Sequence, residues 1–223
     1  MPIRSATRMP REPRLPASLD PAADLDLEDE IGYRGLAVAD ADLAGRRAWS
    51  VEFEGCRFTA ADLSRTALVA ATLRDCLVER SNLANLRAER STMLRVRLSV
   101  SRLTGLQWID GTVRDVTVAQ CRADLASFRF SAFRHVVFED CNLTRADFQN
   151  ADVSGVVFRR CDLTAAQFSH ATMVGTRFAD CELAGIGGVA SFAGAVVASR
   201  DLAGLAHALA AALGIRIEEP GED

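Results

Sequence analysis

The sequence predicts an all-β solenoid: a four-sided parallel β-helix of about seven coils with a C-terminal α-helical cap. Three observations carry that expectation. From Ala41 to Gly185 the chain divides into 29 five-residue blocks without an insertion, and the third residue of every block is apolar, from Leu43 through Trp108 to Leu183. Of the 36 charged residues in this span, only Arg46 stands at a first or third position, so inside and outside are written into the phase. At a spacing of 20 residues the columns are chemically uniform: Cys121, Cys141, Cys161 and Cys181; Val96, Val116, Val136 and Val156; Phe138, Phe158 and Phe178. A spacing of 15 mixes these types. Like residues stack on like in parallel, in-register coils, so each coil has four sides.

Inward residues at first and third positions follow a strand's period of two. Five is odd, so a flat strand would send the next block's apolar residues to the wrong face. A corner after each block absorbs that slip.

Taken in order, residues 1–30 contain five of the six prolines, an arginine-rich start and then an acidic cluster, which predicts a flexible leader lying partly along the first coil. The five-residue phase begins near Ile31 or Leu36, and the solenoid is expected over 31–188. After Gly185 the phase fails: Gly187-Gly188 intervene and Phe192 is one residue out of register. Residues 189–223 are expected to form a cap, with Ser199 as the N-cap of a helix over about 200–213 ended by Gly214. Leu202, Leu205, Leu209 and Leu213 fall on one face of that helix, and Ile215 and Ile217 suggest a short strand before the acidic tail. Within the coils one zone is irregular. Leu86 and Leu106 occupy first positions where neighbours are small, and Trp108 fills a third position, which predicts a local bulge or widening.

Composition narrows the chemistry. The chain has 223 residues and a net charge of −4, which argues against wholesale attraction to nucleic acid or acidic membranes. All 26 basic residues are arginines, which removes lysine Schiff-base chemistry and any phosphate loop built on GxxxxGK[ST]. No basic-then-apolar signal opens the sequence, and the uncharged run Ala184–Ser199 is too short and glycine-broken to span a bilayer. A cytoplasmic protein with reduced cysteines is expected. The six cysteines all stand at first positions and form no CxxC pair, so they read as core fillers rather than metal ligands. His135, His170 and His207 are too scattered for a catalytic or metal site. A filled rod offers no cleft, so no enzyme and no cofactor are expected.

Ala41-Asp42-Leu43, Ala61-Asp62-Leu63, Cys141-Asn142-Leu143 and Cys161-Asp162-Leu163 carry the motif A(D/N)LXX. On these blocks the chain resembles the pentapeptide-repeat family over roughly residues 31–188. The resemblance implies a right-handed quadrilateral β-helix. The family's best-known role is mimicry of duplex DNA by an acidic rod that occupies the DNA-binding saddle of gyrase and protects it from quinolone-like inhibitors. That implies a non-catalytic protein binding a type II topoisomerase, with no direct nucleic-acid contact of its own. The C-terminal helix also dimerises in several members, which makes Leu202, Leu205, Leu209 and Leu213 the candidate dimer contact. The rival reading is a general protein–protein scaffold with an unrelated partner.

Surface charge separates the two. The coils carry 19 arginines against 17 carboxylates, and no face is a phosphate-like stripe. Asp42, Asp62, Asp162 and Glu182 share one column, but Arg102 and Arg122 interrupt it. Apolar residues at outward positions mark a second candidate surface: Trp49 and Val69 are stacked one coil apart, with Ile109 two coils further on.

Overall fold

The computed structural model describes residues 8–22 and 24–216. Every fifth residue from Glu30 to Gly185 has a positive φ, between 49° at Arg90 and 74° at Gly175. This left-handed residue is the corner that the odd block length requires: it turns the chain so that first and third side chains always point inward. Most of the corners are not glycine, and Val100 (φ 50°), Leu125 (φ 61°) and Phe130 (φ 59°) hold this conformation with their side chains in solvent.

The result is a right-handed parallel β-solenoid of about nine turns with a short C-terminal helix. Strands pair in parallel at the 20-residue spacing, as in Thr72 with Thr92 and Thr92 with Thr112. One face is ten strands deep, from Asp20–Pro21 and Leu36–Ala39 through Thr92–Ser99 to Arg177–Ala179 and Val196–Val197. The outermost two explain the extra turns. Asp20 pairs with Leu36 and Val196 with Arg177, so leader and cap each add a strand outside the strict repeat. At about 4.8 Å per rung the rod is roughly 43 Å long.

The core is built from the stacked columns. Phe138, Phe158 and Phe178 lie face to face at 5.2 Å, and Phe148 sits 4.9 Å over Phe168. Neighbouring columns meet edge to face, as Phe148 meets Phe158 at 80°. Where a first position holds Ser, Thr or Cys, its side chain also serves the backbone. Ser131 Oγ donates to Trp108 O at 2.9 Å and accepts from Gly111 N at 3.1 Å, and Thr66 Oγ1 donates to Leu43 O at 2.8 Å. The cysteines do the same with weaker donors: Cys141 Sγ reaches Val118 O and Cys161 Sγ reaches Phe138 O, both at 3.4 Å. The adjacent Cys56 thiol and burial together push the Cys76 thiol well above its ordinary value, which keeps it protonated and inert.

The zone around Trp108 is not a bulge. Gln107, Trp108 and Ile109 pair with Arg87, Ala88 and Glu89 in unbroken register. Space for the indole comes from the small Ala88 one coil earlier and from Gly111, where a Cβ would lie 2.4 Å from Trp108 Nε1. The fit leaves a cavity of about 30 Å³ bordered by Leu86, Leu106 and Trp108, and the buried indole N–H has no hydrogen-bond partner among the described residues.

Both rod ends are covered. At the first, Leu27 is buried, Ala22 and Leu25 pack on the core, and Tyr33 stacks on Phe53 at 5.1 Å. Tyr33 Oη locks the leader by donating to Asp26 O at 2.5 Å and accepting from Glu28 N at 3.1 Å. At the other end Phe192, out of phase in the sequence, still stacks on Phe178 at 5.4 Å and extends the phenylalanine column. The helix, α1, is Leu202–Ala212, shorter than expected: Ser199–Asp201 forms a 3-10 turn, Ser199 makes no cap, and Gly214 ends the helix with φ 71°. Asp201 is buried and accepts from Cys181 N at 3.0 Å, doing for the last coil what Ser131 does for an inner one. The four leucines do not share one environment. Leu205 is buried against the core, whereas Leu202, Leu209 and Leu213 are exposed. Ile215 is exposed, and Ile217 with the acidic tail lies outside the described residues.

Candidate interaction surfaces

The acidic column follows the predicted ladder: Asp42 pairs with Asp62, and Asn142 with Asp162, which pairs with Glu182. These side chains have a local task that the sequence reading missed. Asp42 accepts from Ala44 N at 3.0 Å, Asp62 from Ser64 N at 2.8 Å, Asp162 from Thr164 N at 2.9 Å, and Glu182 from Ala184 N at 3.0 Å. Each second-position carboxylate satisfies the turn two residues ahead, which is why the motif asks for Asp or Asn there. Burial resists ionisation of Asp62, and the Ser64 N–H and hydroxyl with the Asn82 amide overcome it, holding the carboxyl below its usual range. The motif residues Asx-Leu were the signal that could have revealed this.

Elsewhere the outward charges neutralise one another between coils. Arg160 binds both oxygens of Asp140, at 2.6 and 2.9 Å, and reaches Glu139 at 2.7 Å. Arg134 meets Asp152 at 2.7 Å, and Arg200 pairs with Asp180. Such pairs interleave arginine with carboxylate along the rod, which breaks up any continuous phosphate-like stripe.

The Trp49 strip lies on a four-stranded face made of Arg47–Trp49, Ala67–Val69, Arg87–Glu89 and Gln107–Ile109. Trp49 is 46% exposed and Val69 is beside it, but Glu89 separates Val69 from Ile109, so the apolar strip is two rungs long. The leader borders it. Asp29 accepts from Trp49 N at 2.9 Å, and Glu30 N donates to Trp49 O at 2.8 Å. Asp24, Leu25, Asp26, Asp42 and Arg46 line a separate shallow depression, in which Arg46 meets Asp26 at 3.8 Å. Around Trp49 itself, Asp29, Arg47, Arg87 and Glu89 join Val69 in one depression, a mixed-charge grouping invisible in the linear sequence.

The leader's earlier part also has a seat. Arg14 N donates to Asp75 Oδ1 at 3.0 Å, Arg11 N to Asp115 Oδ1 at 3.3 Å, and Glu12 meets Arg97 at 3.4 Å. Pro16 packs over Gly35 and Gly55, where added Cβ atoms would lie 3.5 and 3.0 Å from its ring. Residues expected to float near the first coil therefore run along one corner of the rod. The same corner holds Arg95, which grips Asp75 at 2.6 and 2.5 Å, and His135, 3.2 Å from Asp115.

Among the described residues there is no cluster of three or more side chains able to hold a metal, and no helix is long and apolar enough to cross a membrane. Two family models match the chain, one for a pentapeptide repeat region over residues 112–187 and one for eight-copy pentapeptide repeats over residues 39–75. No curated protein matches. Among solved structures, full-length QnrB1, a plasmid-mediated fluoroquinolone resistance protein, is similar at 18% identity, covering 80% of this chain and 98% of its own, with a TM-score of 0.26. A trypsin-treated QnrB1 variant covers 86% and 100% at 16% identity and a TM-score of 0.29. The pentapeptide-repeat protein Rfr23 from the cyanobacterium Cyanothece 51142 covers 69% and 89% at 12% identity and a TM-score of 0.19.

Proposed function

Since the chain belongs to the pentapeptide-repeat family, we propose that it is a non-catalytic rod that binds another macromolecule in the cytoplasm, with a type II topoisomerase such as DNA gyrase as its specific partner. The observation that carries the binding reading is the patch at the leader end, where exposed Trp49 shares a depression with Val69, Asp29, Arg47, Arg87 and Glu89. A mixed-charge rim around an aromatic anchor suits a protein surface with an apolar slot. The topoisomerase itself rests on the family resemblance. With arginines interleaved among the coil carboxylates, contact would come from this one patch rather than from a stripe along the rod.

The test is a gyrase supercoiling assay titrated with the purified protein, with and without a quinolone. Inhibition or protection at micromolar concentration or below, lost in Trp49→Ala and in the Asp42→Asn/Asp62→Asn pair, is the expected result. No effect well above that range removes the topoisomerase. If the Trp49 patch then captures a different protein partner, the scaffold reading takes its place.

The exposed leucines of α1 support a homodimer through the C-terminal cap. Leu202, Leu209 and Leu213 form an apolar end face that a two-fold contact with a second copy would cover.

A further inference from the structure

The corner occupied by the leader has the makings of a peptide site. Asp75 and Asp115 are 6% and 2% exposed, and each accepts a backbone N–H from the leader. Those donors, Arg11 and Arg14, are three residues apart, while their acceptors are two coils apart along the corner. Two coils span about 9.6 Å. One turn of polyproline II is three residues and about 9.3 Å. The periods match, so successive turns of an extended proline helix present equivalent groups to successive pairs of coils. A β-strand would turn residues three apart to opposite sides. Pro10, Pro13 and Pro16 repeat at the same interval: the first two directly precede the donors Arg11 and Arg14, and the third is itself the ring over the glycines.

Recognition here is by main chain. The carboxylates read N–H groups, and the glycine corners admit a proline ring. Nothing in that geometry demands the leader's own sequence beyond the proline spacing.

We propose that the corner around Gly55, Asp75, Arg95 and Asp115 is a binding site for polyproline-II peptides with proline at every third residue, and that the leader occupies it in cis. A tethered occupant competes at an effective concentration of order millimolar. A proline-spaced segment of another protein therefore enters only when the leader is weakened or drawn off. This site lies apart from the Trp49 patch and does not depend on the identity of the partner proposed there.

The experiment uses the full chain and a fluorescent peptide copying residues 8–19, followed by anisotropy. Arg11→Pro/Arg14→Pro removes both N–H donors while keeping the φ that polyproline II needs. Hydrogen exchange of the leader amides reports its release, and circular dichroism confirms that the rod stays folded. The released variant should bind the peptide at least about tenfold more tightly than the wild-type chain, in which the tethered leader blocks entry. A peptide with one alanine inserted after Arg11, or N-methylated at the residues corresponding to Arg11 and Arg14, should not bind, and these controls leave the rod untouched. Three results overturn the proposal: a leader that stays protected in the double variant, a released rod that ignores the peptide, or equal binding of the out-of-step peptide.

Discussion

At the scale of single residues, the corners hold the largest unrelieved strain. A non-glycine residue in the left-handed region costs roughly 1–2 kcal/mol, and a β-branched one is the worst fitted. Val100 sits there at φ 50° with 57% of its surface in solvent, so it gains little from burial. Val100→Gly should raise stability by about 1 kcal/mol, read as a higher urea midpoint with unchanged slope. Gly111 is the opposite case. Its Cβ would strike Trp108 Nε1 at 2.4 Å and Ser91 O at 2.8 Å, so Gly111→Ala should destabilise by about 2 kcal/mol and shift Trp108 fluorescence. Asp162 accepts from both the N–H and the hydroxyl of Thr164, so Asp162→Ala should cost about 1 kcal/mol in thermal unfolding, whereas Asp162→Asn should cost less.

At the scale of elements, the leader corner responds to acid. Burial resists ionisation of Asp75, and Arg95, with the Arg14 N–H and charge, overcomes it, so the carboxyl is held below its ordinary range. The sign follows: a carboxyl lowered by folding contributes stability above its unfolded value, and that contribution is lost as pH falls through the folded one. Glu54, Asp115 and His135 complete the ionisable surroundings. Leader amide protection should therefore decline as pH drops below about 4, and Asp75→Asn should abolish that decline by weakening the leader at every pH. The coils themselves were legible in the sequence because one five-residue rule governs inside, outside and corner together. The leader and cap were not, because their contacts are individual. Nothing in Arg11 or Arg14 announces a bond to Asp115 or Asp75, and Phe192 joins the aromatic column from a position that the repeat does not predict. The acidic column was found, but its work on the turns was hidden behind its charge.

At the scale of the whole molecule, the rod has two differently finished ends. The leader end is polar and closed by a tyrosine lock, and the far end presents Leu209 and Leu213 to solvent at 38% and 76% exposure. Leu209→Glu/Leu213→Glu should convert a dimer to a monomer in sedimentation velocity while leaving the circular dichroism of the rod unchanged, because Leu205 and Ala208 carry the contact to the core. A wild-type chain that sediments as a monomer at all concentrations would refute that contact.

The 20-residue register has a further consequence for how such a molecule can vary. Removing one whole coil, for example the segment from Thr92 to Gly111, would draw the two ends closer by about 4.8 Å without altering their relative azimuth. Removing a single block of five would instead swing the cap, and any second copy attached to it, through a quarter of a revolution relative to Trp49. The chain thus behaves as a vernier with two graduations, one for reach and one for bearing, and an insertion that respects neither would jam every rung beyond it.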